Sequence, residues 1–158
     1  MPSPRICHSR IRNFSRSRKS ISQRKLTRTP GQSIIVPMRR LLIVDDSFTS
    51  RGMLTRIIGD TYEVSSVHNG PAAIEVIQKE YFDLVLLDLL MPEMDGFAVL
   101  QAMKAMDKMP PVLVISADIQ DTTRERVLRL GAVGLINKPP KREQLLSAID
   151  AALDSAGR

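Results

Sequence analysis

Tryptophan is absent from this 158-residue chain, cysteine occurs once (Cys7), histidine twice (His8, His68), and aromatic side chains make up only 4%. A lone cysteine excludes an intramolecular disulfide, and one cysteine with two histidines falls short of the four ligands of a structural zinc site. Long apolar runs are also missing. None approaches the roughly 20 residues of a membrane-spanning helix, and the charged start has no hydrophobic region of the signal-peptide kind. These absences predict a soluble, cytoplasmic protein without membrane insertion.

Acidic residues are missing from one part of the chain only. Residues 1–37 hold nine of the 23 basic residues and none of the 17 acidic ones, which leaves 14 basic against 17 acidic from Met38 onward. The net charge of +6 therefore belongs to the tail. Serine and proline are frequent there, and its few apolar residues cannot offset the entropy of ordering it, so residues 1–37 are expected to be a disordered basic tail. Three readings of it stand side by side. The biological chain starts at Met38 or the tail is an inert extension; it is an organelle transit peptide; or it touches nucleic acid or anionic membrane by charge. Phe14 is its one aromatic, which argues against base stacking.

From Met38 the pattern alternates strand and helix five times. Leu41 to Val44 is a short apolar run ending in Asp45-Asp46, and Ser47 is placed to cap a helix with Met53, Leu54, Ile57 and Ile58 on one face. Tyr62 to Val67 is a second extended run, followed by a helix opened by Gly70-Pro71. Leu84 to Leu87 is apolar throughout, as in a central parallel strand buried on both faces, and is closed by Asp88. Asp95-Gly96 opens a third helix, Val112 to Ile115 predicts a fourth strand with Ser116 just beyond it, and Thr122 to Leu130 a fourth helix ending at Gly131. Val133 to Ile136 is the fifth strand, and Lys138-Pro139-Pro140 leads into a helix bearing Leu145, Ile149 and Leu153. This is an α/β, doubly wound (βα)5 pattern: a parallel sheet covered on both faces, with its ligand site at the carboxyl ends of the strands.

Those ends carry Asp45, Asp46, Asp88, Ser116 and Lys138. Three converging carboxylates repel one another at neutral pH unless protons are retained or a cation is bound, and hard oxygen ligands without His or Cys favour Mg²⁺. Magnesium held by carboxylates usually shares its shell with phosphate oxygens, so the site is suited to a phosphoryl group. A carboxylate can itself be the nucleophile, and Asp88, at the end of the most buried strand, is the best placed. Lys138 would then neutralise a phosphoryl oxygen and the Ser116 hydroxyl would donate to another. Each residue taken singly has a plainer explanation: a helix cap for Asp45-Asp46, a turn for Asp95-Gly96, a loop lysine for Lys138. Their joint occurrence at converging strand ends is what folding alone does not require.

The set Val44-Asp45-Asp46-Ser47, Asp88-Leu-Leu-Met91-Pro92-Glu-Met94-Asp95-Gly96, Ser116-Ala117 and Lys138-Pro139 resembles the receiver domain of two-component response regulators over nearly all of residues 38–158. The resemblance implies a flavodoxin-like sheet in the order 2-1-3-4-5 and a cis Lys138-Pro139 bond. It implies phosphoryl transfer to Asp88 from a sensor histidine kinase or a histidine phosphotransfer protein. Mg²⁺ would be held by Asp45, Asp46, Asp88 and the Leu90 carbonyl, with Ser116, Ala117 and Lys138 around the phosphoryl group. On the implied output face, Leu135 stands where the family usually has Tyr or Phe, so the aromatic switch is missing, and Pro140 follows Pro139 where an aromatic is common. Leu90 and Asp118 occupy positions that modulate dephosphorylation, and Leu90 cannot position a hydrolytic water, which implies slow or unaided self-dephosphorylation.

The function expected is a stand-alone response regulator, not an enzyme, that changes the binding of a downstream protein or relays the phosphoryl group, with too few residues after Lys138 for an output domain. One alternative is a small-molecule aspartyl-phosphate hydrolase, which would need an acid or base where Leu90 stands. Another is a DNA-binding regulator using the basic tail, although no helix-turn-helix accompanies it.

Overall fold

The computed structural model describes residues 23–26, 34–106 and 109–156. Two short strands come first, β1 (Gln23–Leu26) and β2 (Ile34–Pro37), paired antiparallel with Gln23 opposite Pro37. The expectation of a tail without regular structure did not include this ladder. Its physical basis is the β-branched run Ile34-Ile35-Val36, which favours extended backbone. The remainder of that expectation lies on residues outside those described.

The main sheet has five parallel strands, β3 (Arg40–Val44), β4 (Glu63–Val67), β5 (Leu84–Leu87), β6 (Val112–Ser116) and β7 (Gly134–Asn137). They lie in the order β4-β3-β5-β6-β7. Counted within this sheet the order is 2-1-3-4-5, the flavodoxin-like topology. Ser116 is the last residue of β6, not the first beyond it. The helices between and after them are α1 (Phe48–Ile58), α2 (Gly70–Lys79), α3 (Gly96–Lys104), α4 (Asp121–Arg129) and α5 (Arg142–Ala156).

Strand alternation divides the core in two. Leu42, Val44, Val85 and Leu87 face a cluster with Ala73, Val99, Leu100, Met103 and Val127 from α2, α3 and α4. Leu41, Ile43, Leu84 and Leu86 face Leu54 and Ile58 of α1 and Leu145, Ile149 and Leu153 of α5. Burial on both sides is why β5 reads as an unbroken apolar run. Three helix starts are fixed by side chains: Ser47 accepts from Ser50 N, Asn69 from Ala72 N and Asp95 from Ala98 N. Gly131, just past α4, has a φ of +99°, the left-handed conformation that glycine adopts without Cβ strain.

Arg40 anchors the opposite end of the sheet. Its guanidinium pairs with Glu80 at 2.7 Å and Glu63 at 3.5 Å, donates to the Tyr81 carbonyl at 3.0 Å and lies 5.0 Å from the centre of the Phe82 ring. Its backbone N–H donates to Asp83 at 2.7 Å. No helix among the described residues is long and apolar enough to cross a membrane.

Candidate functional site

Sheet register brings the site together. Val44 lies opposite Leu87, so the residues that follow, Asp45 and Asp88, are neighbours, and the Asp88 N–H donates to the Val44 carbonyl at 2.9 Å. Ser116 is opposite Asn137, which puts Lys138 next to it, and the Lys138 N–H donates to the Ser116 carbonyl at 2.9 Å. The Lys138-Pro139 bond is cis, as the resemblance implied.

The Lys138 ammonium lies 2.7 Å from Asp45 Oδ2 and 2.8 Å from Asp88 Oδ2. Asp45 and Asp88 are only 1% and 5% exposed, while Asp46 is open to solvent. Single oxygens from the three carboxylates all lie within 4.8 Å of one another. Three carboxylates and one ammonium leave a formal excess of two negative charges, matched by one divalent cation, and an all-oxygen donor set fits Mg²⁺. Burial raises the Asp88 pKa above its ordinary value. The Lys138 hydrogen bond and charge oppose that rise, and the charge of Asp45 adds to it. For Lys138, burial alone acts downward, but hydrogen bonds and attraction from Asp45 and Asp88 outweigh it and raise the pKa. The ammonium is therefore firmly charged where it faces Asp88.

Several supporting residues were not anticipated from the sequence. Asp45 accepts from the Ser50 hydroxyl at 2.6 Å and the Ser47 N–H at 2.8 Å, while Arg51 donates to the backbone carbonyls of Asp45 and Asp46 at 2.6 and 3.0 Å. The first turn of α1 thus holds the acidic pair. Gly96 begins α3, as the sequence predicts. A Cβ there would lie 2.3 Å from the Asp88 carbonyl oxygen and 2.7 Å from Leu89 Cα, so its lack of a side chain lets α3 start directly against the Asp88 backbone. The signal available in the sequence was Asp95-Gly96 at fixed distance from Asp88, but its meaning is tertiary.

The other expected site residues divide. Ser116 is fully buried, and its Oγ accepts from the Asp118 N–H at 3.1 Å. Ala117 and Pro139 are exposed at the surface, and Leu90, whose N–H donates to Asp88 Oδ1 at 3.3 Å, is 64% exposed. Leu135 is a core residue, 7% exposed in the cluster that contains Val127, and Pro140 is buried as well. Of Leu135 and Pro139, the two residues expected on an output face, only Pro139 is therefore exposed.

With this geometry established, comparison with known proteins is decisive. The family described as the response regulator receiver domain matches residues 41–150. The chain belongs to that family. The receiver is 34% identical over 114 residues to the transcriptional regulatory protein ZraR of Escherichia coli, covering 72% of this chain and 26% of ZraR. It thus spans about a quarter of the length of such curated relatives. The chemotaxis protein CheY4 of Vibrio cholerae superposes with a TM-score of 0.68 at 31% identity, covering 73% of this chain and 98% of that one. The signal receiver domain of a histidine kinase from Syntrophus aciditrophicus gives 0.69 at 32% identity, over 76% and 93% respectively. Receivers are the phosphoacceptor domains of two-component signalling.

Proposed function

We propose that this receiver accepts a phosphoryl group on Asp88 and thereby changes its affinity for a protein partner. The observation that carries the reading is the Asp88 carboxylate, fixed at the end of β5, 2.8 Å from the Lys138 ammonium and grouped with Asp45 and Asp46. An Asp88 oxygen forms the new O–P bond as the N–P bond of a donor phosphohistidine breaks, the imidazole leaving with the electron pair. Asp45, Asp46, Asp88 and the Leu90 carbonyl would hold Mg²⁺, which supplies charge neutralisation for the phosphoryl oxygens. Lys138 pairs with one phosphoryl oxygen, the Ser116 hydroxyl donates to a second, and the backbone N–H beyond it, at Ala117, is available as a further donor.

The donor in this reading is a sensor histidine kinase or a histidine phosphotransfer protein, and the reader is a downstream protein. The hydrolase alternative needs an acid or base beside Asp88. The groups that donate to its carboxylate are instead Lys138 and the Leu90 N–H. The DNA-binding alternative rests on the tail, and salt-dependent binding to duplex DNA, lost on deleting residues 1–37, is what would favour it.

Intact-mass measurement after incubation with acetyl phosphate tests the proposal. The expected result is one phosphoryl adduct that requires Mg²⁺ and is missing from Asp88→Asn. A folded chain that takes up no phosphoryl group, or an Asp88→Asn chain that still does, overturns it.

A further inference from the structure

A groove of about 770 Å³ opens at the end of the sheet opposite Asp88, where the strands begin. Ile77, Tyr81, Met106, Met109, Pro110 and Leu153 give it apolar walls, and Tyr81 is 74% exposed. An apolar hollow of this size beside an exposed aromatic ring is suited to take up side chains from elsewhere. Its charged lining residues are Arg39, Lys79, Glu80 and Asp83. Lys79 is paired with Glu75, Glu80 with the Arg40 guanidinium, and Asp83 with the Arg40 N–H. The helices α2, α3 and α5 end within a few residues of the lining, at Lys79, Lys104 and Ala156. Three helix C-termini, the negative ends of their dipoles, therefore border the groove, which favours a cationic occupant.

The register of β1 against β2 brings one such segment to this place. Gln23 is opposite Pro37, so the chain before Gln23 leaves the ladder beside Met38, next to the lining residue Arg39. From this juxtaposition we infer that residues 10–22 of this chain, which lie outside the described residues, dock in the groove with Phe14 and Ile21 against its apolar walls. The segment Arg10-Ile-Arg-Asn-Phe14-Ser-Arg-Ser-Arg-Lys-Ser-Ile21-Ser22 carries five basic residues and no acidic one, while the chain from Met38 onward has 14 basic against 17 acidic. Eight residues separate Ser22 from Phe14 and span up to about 28 Å when extended, so both apolar side chains reach the groove. Met106 and Met109 offer thioethers to the Phe14 ring, and the Tyr81 ring offers its face to an arginine. A segment tethered this closely has an effective concentration of order millimolar, so a few such contacts suffice to hold it. Docked there, it leaves Asp88 and its acidic neighbours open, because they stand at the other end of the strands. The inference does not depend on the phosphoryl chemistry proposed above.

Cys7, the single cysteine, allows a direct test in the full chain. A nitroxide is attached to it, and the ε-methyl signals of the methionines are compared by NMR with the nitroxide oxidised and reduced. Met106 and Met109 should lose at least half of their intensity, while Met91 and Met94, in the loop after Asp88, keep theirs. A tether that merely hangs near its anchor also broadens nearby signals, so the docking contacts are then removed. Phe14→Ser together with Ile21→Ser changes no residue of the main sheet or its helices, and Tyr81→Ala changes an exposed one. Each variant should weaken the broadening at Met106 and Met109 at least twofold. Unbroadened Met106 and Met109 signals, or broadening that is equal before and after these substitutions, overturns the docking. A final sample mixes a ¹³C-methyl chain lacking the nitroxide with an unlabelled chain carrying it. Broadening at Met106 and Met109 in that mixture identifies the tail of a second copy as the occupant and overturns docking within one chain, whereas sharp signals there support it.

Discussion

Replacing glycine by alanine in a helix normally stabilises a protein, yet this structure demands opposite outcomes at two of its helical glycines. Gly52 lies within α1 with open space around the position a Cβ would take, so Gly52→Ala should gain helix propensity without strain, about 0.5–1 kcal/mol. Gly96 begins α3, where an added Cβ would sit 2.3 Å from the Asp88 oxygen, 2.7 Å from Leu89 Cα and 3.0 Å from the Asp88 carbonyl carbon. All three are backbone atoms, and they are pinned. The Asp88 N–H is bonded to Val44 at 2.9 Å and the Gly96 N–H to Leu89 at 3.0 Å. Relief requires α3 or the end of β5 to retreat, and strain of this kind costs about 1–3 kcal/mol, more than the propensity gain at a first-turn position. At about 4 °C per kcal/mol for a domain of this size, the Tm should fall by about 4–12 °C in Gly96→Ala and rise by about 2–4 °C in Gly52→Ala. Thermal unfolding followed by circular dichroism, with urea titration alongside, measures both. Phosphoryl uptake should drop in Gly96→Ala as well, since the displaced backbone carries Asp88. A Gly96→Ala chain as stable as wild type would refute the close approach on which this reasoning depends.

Three further outcomes are expected. Lys138→Met strips the cation from two buried carboxylates and should destabilise the Mg²⁺-free protein by about 2 kcal/mol in urea, with Asp88→Asn as a second change recovering part of that loss. Because Asp88 has a raised pKa in the folded state, its contribution to stability is complete below its unfolded pKa, about 3.9, and is lost as pH rises through the higher folded value. Without Mg²⁺, wild-type stability relative to Asp88→Asn should therefore decline from pH 4 upward, and a flat difference would contradict the burial argument. Tyr62 donates to Asp150 at 2.7 Å across 88 residues of sequence, and burial followed by that bond raises its pKa well above the ordinary phenol value. In a Tyr81→Phe background, absorbance titration should show no tyrosinate at pH 10, and Tyr62→Phe should cost about 1 kcal/mol of stability.

What could be read from the sequence was whatever depends on strand period and strand ends. Apolar runs closed by Asp45, Asp88 and Lys138 identify the sheet and its functional edge together, because parallel strands in register deliver the residue after each run to one place. What could not be read is how neighbouring elements press on that edge. Ser50 and Arg51 belong to the polar side of α1 by sequence, and only the docking of α1 turns them toward Asp45. Gly96 reads as the start of a helix, and only the laying of α3 against the Asp88 backbone shows why that residue has no side chain. Leu135, which the resemblance places on an output face, proves to be interior because β7 is covered on both faces, Leu135 lying in one core cluster and Ile136 in the other. Asp118, two residues beyond Ser116, is placed by the resemblance among residues that modulate dephosphorylation, which says nothing of its contacts. Its value lies in having one partner on each side, Ser116 behind and Thr123 ahead, in a helix that has no capping side chain of its own. The residues proposed to perform the chemistry are thus set by strand periodicity, whereas those that support them are set by contacts between elements, and a periodic reading has no access to the second kind.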